Sequence, residues 1–405
     1  MATVPRVRRD PGIAVVALAA AVLGGVVALL VASATGLTDH KTSTVYVPTI
    51  ASDAGAGNEP IARAAPLGGK GFNPSRIYTA RSPGVVTVFA VFDSSEEQGA
   101  QGTGFVVTPS GYILTSAHVV TNVVESAHPS EAHDVFIAFK DGDRVKAKIV
   151  GWDGYDDVAL LKVDPSAHAL VTVPLGDSSR VRAGDPVAAM GSPFGNEDSI
   201  AVGVVSAIHR SISSLTSTYK VVDAIQTDAP ITHGNSGGPL FDARGRVIGI
   251  NAQIRSDSGG AEGVGFAVPI NAARRSMAQL IATGRVAYAY LGVTTEDLTP
   301  TLARHLGYSV GRGAIVGEVR DGSPADHAGL HGGDHDETFN GLDVTIGGDV
   351  IVAVDGRPVR SADQVVRDIG SRLPGQTIRL TVVRGDARRT LTAKLGARPD
   401  AETNP

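Results

Sequence analysis

The sequence GNSGG, from Gly234 to Gly238, places Ser236 on a glycine-rich turn where its hydroxyl could act as a nucleophile. The pattern fits G-x-S-x-G, the strand-to-helix turn that carries the nucleophile of α/β-hydrolases. It equally suits a β-barrel serine protease, in which backbone N–H groups of such a loop face a developing oxyanion. Both interpretations make Ser236 reactive, but they predict different folds.

The residues around this turn favour the second interpretation. An α/β-hydrolase requires a helix directly after the serine, with the acid and the histidine later in the chain. Here the serine is followed by GGPLFDARGRVIGI, which has the turn residues of a β-hairpin. His118 in TSAHVV and Asp157 in YDDVALLKV both precede Ser236. The order His, Asp, Ser is that of the chymotrypsin arrangement.

Three nearby carboxylates compete for the role of the acid. Asp153 and Asp156 lie close to Asp157 in the sequence. The apolar pattern of a strand starts at Val158, so Asp157 directly precedes that strand. We therefore expect Asp157 to orient His118.

The elements that would position these residues are short strands. Apolar or alternating runs are separated by Gly, Pro, Asp and Ser at the spacing of an all-β barrel or sandwich. These runs cover residues 85–92, 104–108, 112–116, 135–139 and 158–163. The first clear helix pattern covers residues 271–284, with Asn271 as its N-cap and Gly284 at its end.

Length and composition limit the function classes. With 405 residues, two or three domains are expected. The net charge of −5 gives no electrostatic reason to expect a nucleic-acid partner. The chain contains no cysteine, which excludes a disulfide framework, thiolate catalysis and a cysteine-ligated zinc.

The N-terminal residues 1–36 predict a membrane anchor. No charged residue occurs between Pro11 and Thr38, and this segment is mostly apolar and long enough to cross a bilayer. Three arginines before it predict a cytoplasmic N-terminus, with everything later outside the cytoplasm. The alternative is a cleaved signal peptide with Ala32-Ser33-Ala34 as its cleavage site, which would make the protein secreted. Residues 37–71 have the composition of a flexible linker.

Four motifs together resemble the HtrA/DegP family of serine proteases. They are TSAHVV, DDVALLKV, QTDAPITHGNSGGPL and the later YLGV, and the resemblance extends over residues 72–395. It implies a mainly β protein with a trypsin-like double β-barrel at 72–285 and one PDZ domain at 288–396. The remaining residues 397–405 are expected to form a disordered tail.

The resemblance also implies a mechanism. Ser236 Oγ would attack the peptide carbonyl, His118 would take its proton and return it to the leaving amine, and Asp157 would hold the imidazole. The backbone N–H groups of Gly234 and Ser236 would form the oxyanion hole, with Asn235 shaping the turn between them. No cofactor is implied.

Substrate preference is expected from the residues that precede the nucleophile. Trypsin-like enzymes that cleave after Lys or Arg carry Asp six residues before the serine, where this chain has Pro230. The resemblance instead implies small or medium aliphatic residues in a pocket lined by Ile231, Ala252, Gln253 and Ile254. His233 stands where the family usually has proline. It is either a pH-sensitive group or a solvated loop residue.

The PDZ resemblance implies capture of peptide C-termini. The carboxylate-binding loop would be Tyr290, Leu291, Gly292 and Val293. Val365 and Ile369 would line the groove, with core packing as their alternative role. Residues 331–349 look like an insertion, in which His331, Asp334, His335 and Asp336 suggest a metal site or simply a polar hairpin. We expect no metal.

Partners follow from the same resemblance. No GxxxxGK[ST] motif is present, so any proteolysis would be independent of ATP and limited to unfolded, misfolded or exposed segments. Relatives usually trimerise through residues before the first strand. Phe72 and Tyr78 either serve this contact or cap the barrel. The expected role is quality control under stress, and the alternative is a proteolytically silent chaperone-like scaffold that binds C-termini.

Overall fold

The computed structural model describes residues 71–92, 99–122, 130–192, 199–213, 216, 220–232, 234–252 and 264–399. All of them belong to the compact unit Ala64–Pro405. The predicted anchor, most of the linker, His233, Gln253 and Ile254 lie outside the described residues. Within these ranges no helix has the length and hydropathy needed to span a bilayer.

The first domain contains two closed six-stranded barrels, as the family resemblance predicts. Barrel 1 has the strand order β1-β2-β3-β6-β5-β4 and is antiparallel throughout. Its strands are β1 (Val85–Val91), β2 (Gly99–Val106), β3 (Tyr112–Thr115), β4 (Asp134–Ala138), β5 (Arg144–Asp153) and β6 (Val158–Val163).

Barrel 2 repeats this arrangement with the strand order β10-β11-β12-β9-β8-β7. Its strands are β7 (Pro186–Gly191), β8 (Ser199–Ser213), β9 (Lys220–Thr227), β10 (Pro239–Phe241), β11 (Val247–Ala252) and β12 (Gly265–Pro269).

Adjacent residues on the strands of barrel 1 pack into two different hydrophobic cores. Successive side chains of a strand point to opposite faces, so a strand buried on both faces has a continuous apolar sequence. In β6, Leu160 packs into the core shared by the two barrels, while Leu161 packs inside barrel 1. On β3, Leu114 likewise packs into the shared core and Ile113 packs inside barrel 1. This shared core fixes the barrels against each other.

The described part of the first domain contains three α-helices. They are α1 (Pro74–Arg81), α2 (Ala117–Val120) and α3 (Ile270–Thr283). The prediction that Asn271 caps α3 is wrong, because β12 runs directly into the helix and Pro269 occupies the N-cap position. Asn271 Nδ2 instead donates to Asp177 Oδ1 at 2.8 Å. Gly284 ends the helix with φ of 72°, as predicted.

Helix α1 was not recognised in the sequence, although Asn73 caps it and accepts from Arg76 N at 3.0 Å. Ile77 of α1 and the preceding Phe72 are buried in the core shared by the barrels, and Tyr78 packs against it. These contacts are the ones that a barrel-capping role requires.

The second domain is built on a sheet with the strand order β14-β15-β18-β20-β21, and β19 pairs with β18. These strands are β14 (Val293–Leu298), β15 (Gly313–Val319), β18 (Val350–Val354), β19 (Arg357–Pro358), β20 (Thr377–Arg384) and β21 (Ala387–Lys394). Its helices are α4 (Pro300–His305), α5 (Pro324–His327) and α6 (Ala362–Gly370). The first and last strands of the domain, β13 (Ala289–Tyr290) and β22 (Gly396–Ala397), form a short antiparallel pair.

The predicted insertion at 331–349 contains a two-stranded hairpin. Its strands are β16 (His335–Phe339) and β17 (Leu342–Ile346), joined by the turn at Asn340 and Gly341. Asn340 has a positive φ of 52°, which asparagine tolerates better than most residues. This is the polar hairpin that the sequence offered as the alternative to a metal site.

Candidate active site

Helix α2 and the turn before β6 bring His118 and Asp157 together. His118 Nδ1 lies 2.7 Å from Asp157 Oδ2, and the His118 backbone N–H donates to Asp157 Oδ1 at 3.0 Å. Because a carboxylate only accepts, Nδ1 carries the proton, which leaves Nε2 with the free lone pair of a general base. Both carboxylate oxygens of Asp157 are therefore engaged by one residue.

Burial and charge set the protonation of His118. Burial, the largest effect, lowers the pKa of His118, but the charge and the hydrogen bond of Asp157 outweigh it, so the pKa is raised above 6.5. Asp157 is only 5% exposed, and little water competes for its carboxylate. The pair thus stabilises an imidazolium, which proton transfer from a serine requires.

Backbone conformation distinguishes Asp157 from its neighbours. Asp157 has a φ of +53°, a left-handed conformation that costs an ordinary L-residue about 1–2 kcal/mol. Asp153 instead accepts from Ser276 and Tyr288, and Asp156 lines a cavity next to the second domain. Of the three carboxylates, Asp157 is the one that meets His118.

Ser236 lies on the loop between β9 and β10, with glycines at positive φ on both sides. Gly234 has a φ of 99° and Gly237 of 82°. The Gly237 N–H donates to Asn251 O at 2.8 Å, and the Gly238 N–H to Asn235 O at 3.0 Å. A side chain at Gly237 would collide with Thr103 O and Thr115 Oγ1, so the turn requires glycine there.

The Ser236 hydroxyl is buried and makes no hydrogen bond to the residues that the structure describes. The bond to His118 Nε2 needed for proton transfer is therefore not formed in this conformation. Such catalytic bonds are often long without substrate and tighten in the substrate complex.

Asn235 braces the loop with its side chain. Its Oδ1 accepts from the Thr232 N–H at 3.0 Å, and its Nδ2 donates to Pro230 O at 3.1 Å. Since the Asn235 carbonyl accepts from Gly238, the Ser236 N–H of the same trans peptide points away from that bond. The role of this N–H as an oxyanion donor stays a prediction. The peptide that carries the Gly234 N–H includes His233, outside the described residues.

Two residues that form hydrogen bonds to the nucleophile loop were not predicted from the sequence. Thr103 on β2 bonds to Gly234 and Ser236, and Asn251 Nδ2 reaches Met190 O at 3.2 Å and Asn235 O at 3.4 Å. Both side chains are buried. The one available signal was a hydroxyl residue between two glycines, Gly102-Thr103-Gly104, in an apolar strand.

Two of the four predicted pocket residues are described. Ile231 is half-buried against the core of barrel 2, and Ala252 is buried at the end of β11. Asp228, three residues before Ile231 in the sequence, accepts from the Val204 N–H at 2.7 Å.

The residues predicted to line the peptide groove lie on the segment Tyr290–Val293, which leads into β14, and on α6. Strand β14 is at the edge of its sheet, where a peptide could add as a further strand. Gly292 has a φ of 87°, and Leu291 is buried beside it. Val365 and Ile369 are 2% and 6% exposed and pack into the domain core with Leu291, as their alternative role requires.

The four candidate metal ligands are not brought together. No group of three or more suitable side chains occurs in the part of the chain that the structure describes. The His331 N–H donates to Asp349 Oδ2 at 3.0 Å, and Asp336 Oδ1 accepts from Thr345 on the hairpin at 2.8 Å. Of the candidate carboxylates, Asp336 thus has a structural partner within the hairpin.

Similarity to known proteins agrees with this geometry. The profile of the trypsin-like peptidase domain matches residues 102–250, and that of the PDZ domain matches residues 289–395. Two relatives are described as probable periplasmic serine endoprotease DegP-like. The one from Halomonas elongata is 39% identical over 76% of this chain, and the one from Pseudomonas savastanoi pv. phaseolicola is 38% identical over 76%. The chain spans 59% and 58% of the length of these relatives.

Solved structures give the same result. The HtrA-type protease AlgW with tripeptide is 34% identical, with a TM-score of 0.65 over 82% of this chain and 99% of that one. The serine endoprotease from Yersinia pestis is 28% identical, with a TM-score of 0.56 over 81% of this chain and 98% of that one.

Proposed function

Because the chain belongs to the HtrA family of trypsin-like serine proteases with a PDZ domain, we propose that it is an ATP-independent serine endopeptidase. The observation that carries this proposal is the His118–Asp157 pair at 2.7 Å in the same domain as Ser236 on its glycine-rich turn. A proteolytically silent scaffold would have no use for an imidazole oriented by a buried carboxylate.

In this mechanism Ser236 Oγ attacks the substrate carbonyl as His118 Nε2 takes its proton. Asp157 holds the imidazole in the correct tautomer and stabilises its charge. The N–H groups of Ser236 and Gly234 stabilise the tetrahedral oxyanion, and His118 then returns the proton to the leaving amine. A water molecule then attacks the acyl-enzyme by the same steps, with His118 as the base, and releases the acyl group from Ser236.

We propose that the substrates are misfolded or exposed segments, cut after small or medium aliphatic residues. Pro230 in place of an acidic residue and the apolar Ile231 and Ala252 support this preference. The edge strand β14 and the loop Tyr290–Val293 support binding of a peptide C-terminus by the second domain.

We place this activity outside the cytoplasm, in a membrane-anchored homotrimer that serves protein quality control. The relatives described as periplasmic and the apolar N-terminal sequence support export. N-terminal sequencing of the mature protein tests whether the anchor is retained. Light scattering of the fragment that starts at Phe72 tests the trimer, and a monomer would refute it.

The central test compares the full chain with Ser236→Ala on fluorescently labelled casein. We expect cleavage by the wild type and less than about 10⁻³ of that rate in the variant, because the nucleophile is lost. Equal rates would refute the protease proposal. If both proteins suppress aggregation of an unfolded substrate and neither cuts it, the chaperone-like alternative is correct.

A further inference from the structure

Thr103 is a buried polar residue in the middle of strand β2. Its side chain is 0% exposed, and it faces Thr87 across the β1–β2 pair. A buried hydroxyl is unfavourable unless it is hydrogen-bonded, so its partners show what it does. The Thr103 hydroxyl accepts from the Ser192 N–H at 2.9 Å and meets the Gly234 carbonyl at 2.5 Å.

The direction of both hydrogen bonds is fixed by their partners. A backbone N–H only donates, and a carbonyl only accepts. The Thr103 hydroxyl therefore gives its single proton to Gly234 O and uses a lone pair for Ser192. Gly234 lies 131 residues further along the chain, on the loop of the nucleophile.

The Thr103 backbone makes a second contact with the same loop. Its N–H donates to Ser236 O at 2.9 Å, and its own carbonyl accepts from Thr115 Oγ1 at 2.7 Å. One residue of barrel 1 thus holds the carbonyls of Gly234 and Ser236, on either side of Asn235.

Peptide planarity turns the Gly234 contact into a constraint on the oxyanion site. The peptide between Gly234 and Asn235 is rigid, so fixing its carbonyl fixes its plane. The N–H at the other end of this plane donates to Thr232 O at 3.2 Å. The plane stands between the N–H groups of Gly234 and Ser236, which are the two proposed oxyanion donors.

Without the Thr103 hydroxyl, the glycine could rotate more freely. Gly234 has no Cβ to limit its dihedrals, and its φ of 99° is one that glycine reaches as readily as its mirror image. We infer that Thr103 is a positioning residue, whose hydroxyl holds the Gly234–Asn235 peptide in the orientation that aligns the oxyanion donors. This inference rests on the proposed protease function.

The test uses two variants. Thr103→Val removes the hydroxyl with little change of shape, and Thr103→Ser keeps the hydroxyl and removes the methyl group. Thr87→Val is the matched control, because it removes a buried hydroxyl at the paired position. That hydroxyl bonds to Ser192 Oγ at 2.6 Å and has no bond to the described residues of the nucleophile loop. The substrate is a fluorescence-quenched peptide with valine before the scissile bond, and the inhibitor is the peptide aldehyde of the same sequence.

We expect Thr103→Val to lower kcat about 10- to 100-fold with KM within twofold, because loss of one oxyanion donor costs about 10²–10³ and here the donors are misaligned rather than removed. Aldehyde affinity should fall by a similar factor, since its adduct resembles the tetrahedral intermediate. Thr103→Ser should recover most of kcat. Thr87→Val should keep the wild-type kcat, even if its melting temperature falls as much as that of Thr103→Val.

Two results overturn the inference. In the first, Thr103→Val matches Thr87→Val in kcat and in aldehyde affinity. In the second, its loss falls on KM alone. The rate at which a fluorophosphonate labels Ser236 provides a readout that needs no peptide cleavage. A wild type that neither cleaves nor labels refutes the proposed function and this inference together, whereas an active wild type with an unaffected Thr103→Val refutes the inference alone.

Discussion

Tyr288 donates its hydroxyl proton to Asp153 Oδ2 at 2.6 Å, which ties the connection into the second domain to the last residue of β5. Ser276 of α3 donates to the same oxygen at 2.6 Å. The Arg398 guanidinium lies 5.3 Å from the centre of the Tyr288 ring, and the Arg398 N–H donates to Tyr288 O. A buried carboxylate four residues before Asp157 is thus part of the interface between the domains.

This interface makes stability depend on pH through Asp156. Asp156 lines a cavity of about 240 Å³ between the domains. Burial and the charge of Asp153 raise the pKa of Asp156 to about 7, against the opposing effect of Arg275 and Arg398. The unfolded chain releases this proton near pH 3.8, so the free energy of unfolding falls as pH rises from about 4 to 7.

Asp156→Asn should remove that fall, which amounts to the order of a few kcal/mol. Urea unfolding of wild type and variant at pH 4.5, 6 and 8 measures the difference. The two proteins should be closest in stability at pH 4.5, and the variant should be more stable at pH 8. Parallel pH profiles would show that Asp156 is ionised in the folded protein across this range.

Activity should be lost on the acid side of a midpoint above pH 6.5. The base must be neutral to take a proton, and the Asp157 carboxylate raises the pKa of His118. Asp157→Asn should move the midpoint of kcat/KM to lower pH and reduce kcat about 10⁴-fold. Asp134, a half-buried carboxylate on β4, provides the control, since Asp134→Asn should leave the profile unchanged. An unshifted midpoint in Asp157→Asn would contradict the assigned pair.

Gly237→Ala should abolish activity and lower the free energy of unfolding by more than about 2 kcal/mol. The methyl group would collide with Thr103 O and Thr115 Oγ1 at a φ of 82°. Gly142→Ala is the matched control, because its φ is 88° and nothing lies within 4 Å of the added atom. It should cost only the backbone strain of about 1–2 kcal/mol. Equal losses in urea unfolding would mean that the nucleophile loop moves aside without penalty.

Gly292→Ala should prevent the second domain from binding a peptide with a free C-terminal carboxylate. Its Cβ would collide with Ser323 Cβ and displace the loop whose N–H groups are proposed to hold the carboxylate. Gly307→Ala, at a φ of 73° in open space, should bind as the wild type does. Fluorescence polarisation with a labelled apolar peptide and its amidated form measures both. Tight binding of the amide would show that the carboxylate is not recognised.

The parts of the fold that the sequence predicted are those with local signals. Runs such as 158–163 are apolar on both faces, and this pattern is independent of distant contacts. The same holds for His118 and Ser236, whose flanking residues are distinctive. Helix α1 escaped because it is short and polar, although the pair Asn73-Pro74 is a cap signal.

The residues that escaped prediction depend on contacts distant in sequence. Asn271 has the residue type of a cap, but its partner Asp177 is 94 residues away. Apart from its two flanking glycines, Thr103 has no local signal for its role, because its partner Gly234 is 131 residues away, and Asn251 donates to Met190, 61 residues earlier. Such residues are specified by contacts between segments that are distant in the sequence, which no local pattern encodes.

The turn between β5 and β6 limits how freely the second domain can be replaced by a peptide-binding domain from another protein. Asp156 and Asp157 are consecutive, yet one borders the second domain and the other holds the general base. A chimera with a foreign peptide-binding domain therefore inherits a turn fitted to Tyr288 and Arg398. Grafts that keep these two residues should preserve proteolysis, and those that replace them should alter it even though the barrels are intact.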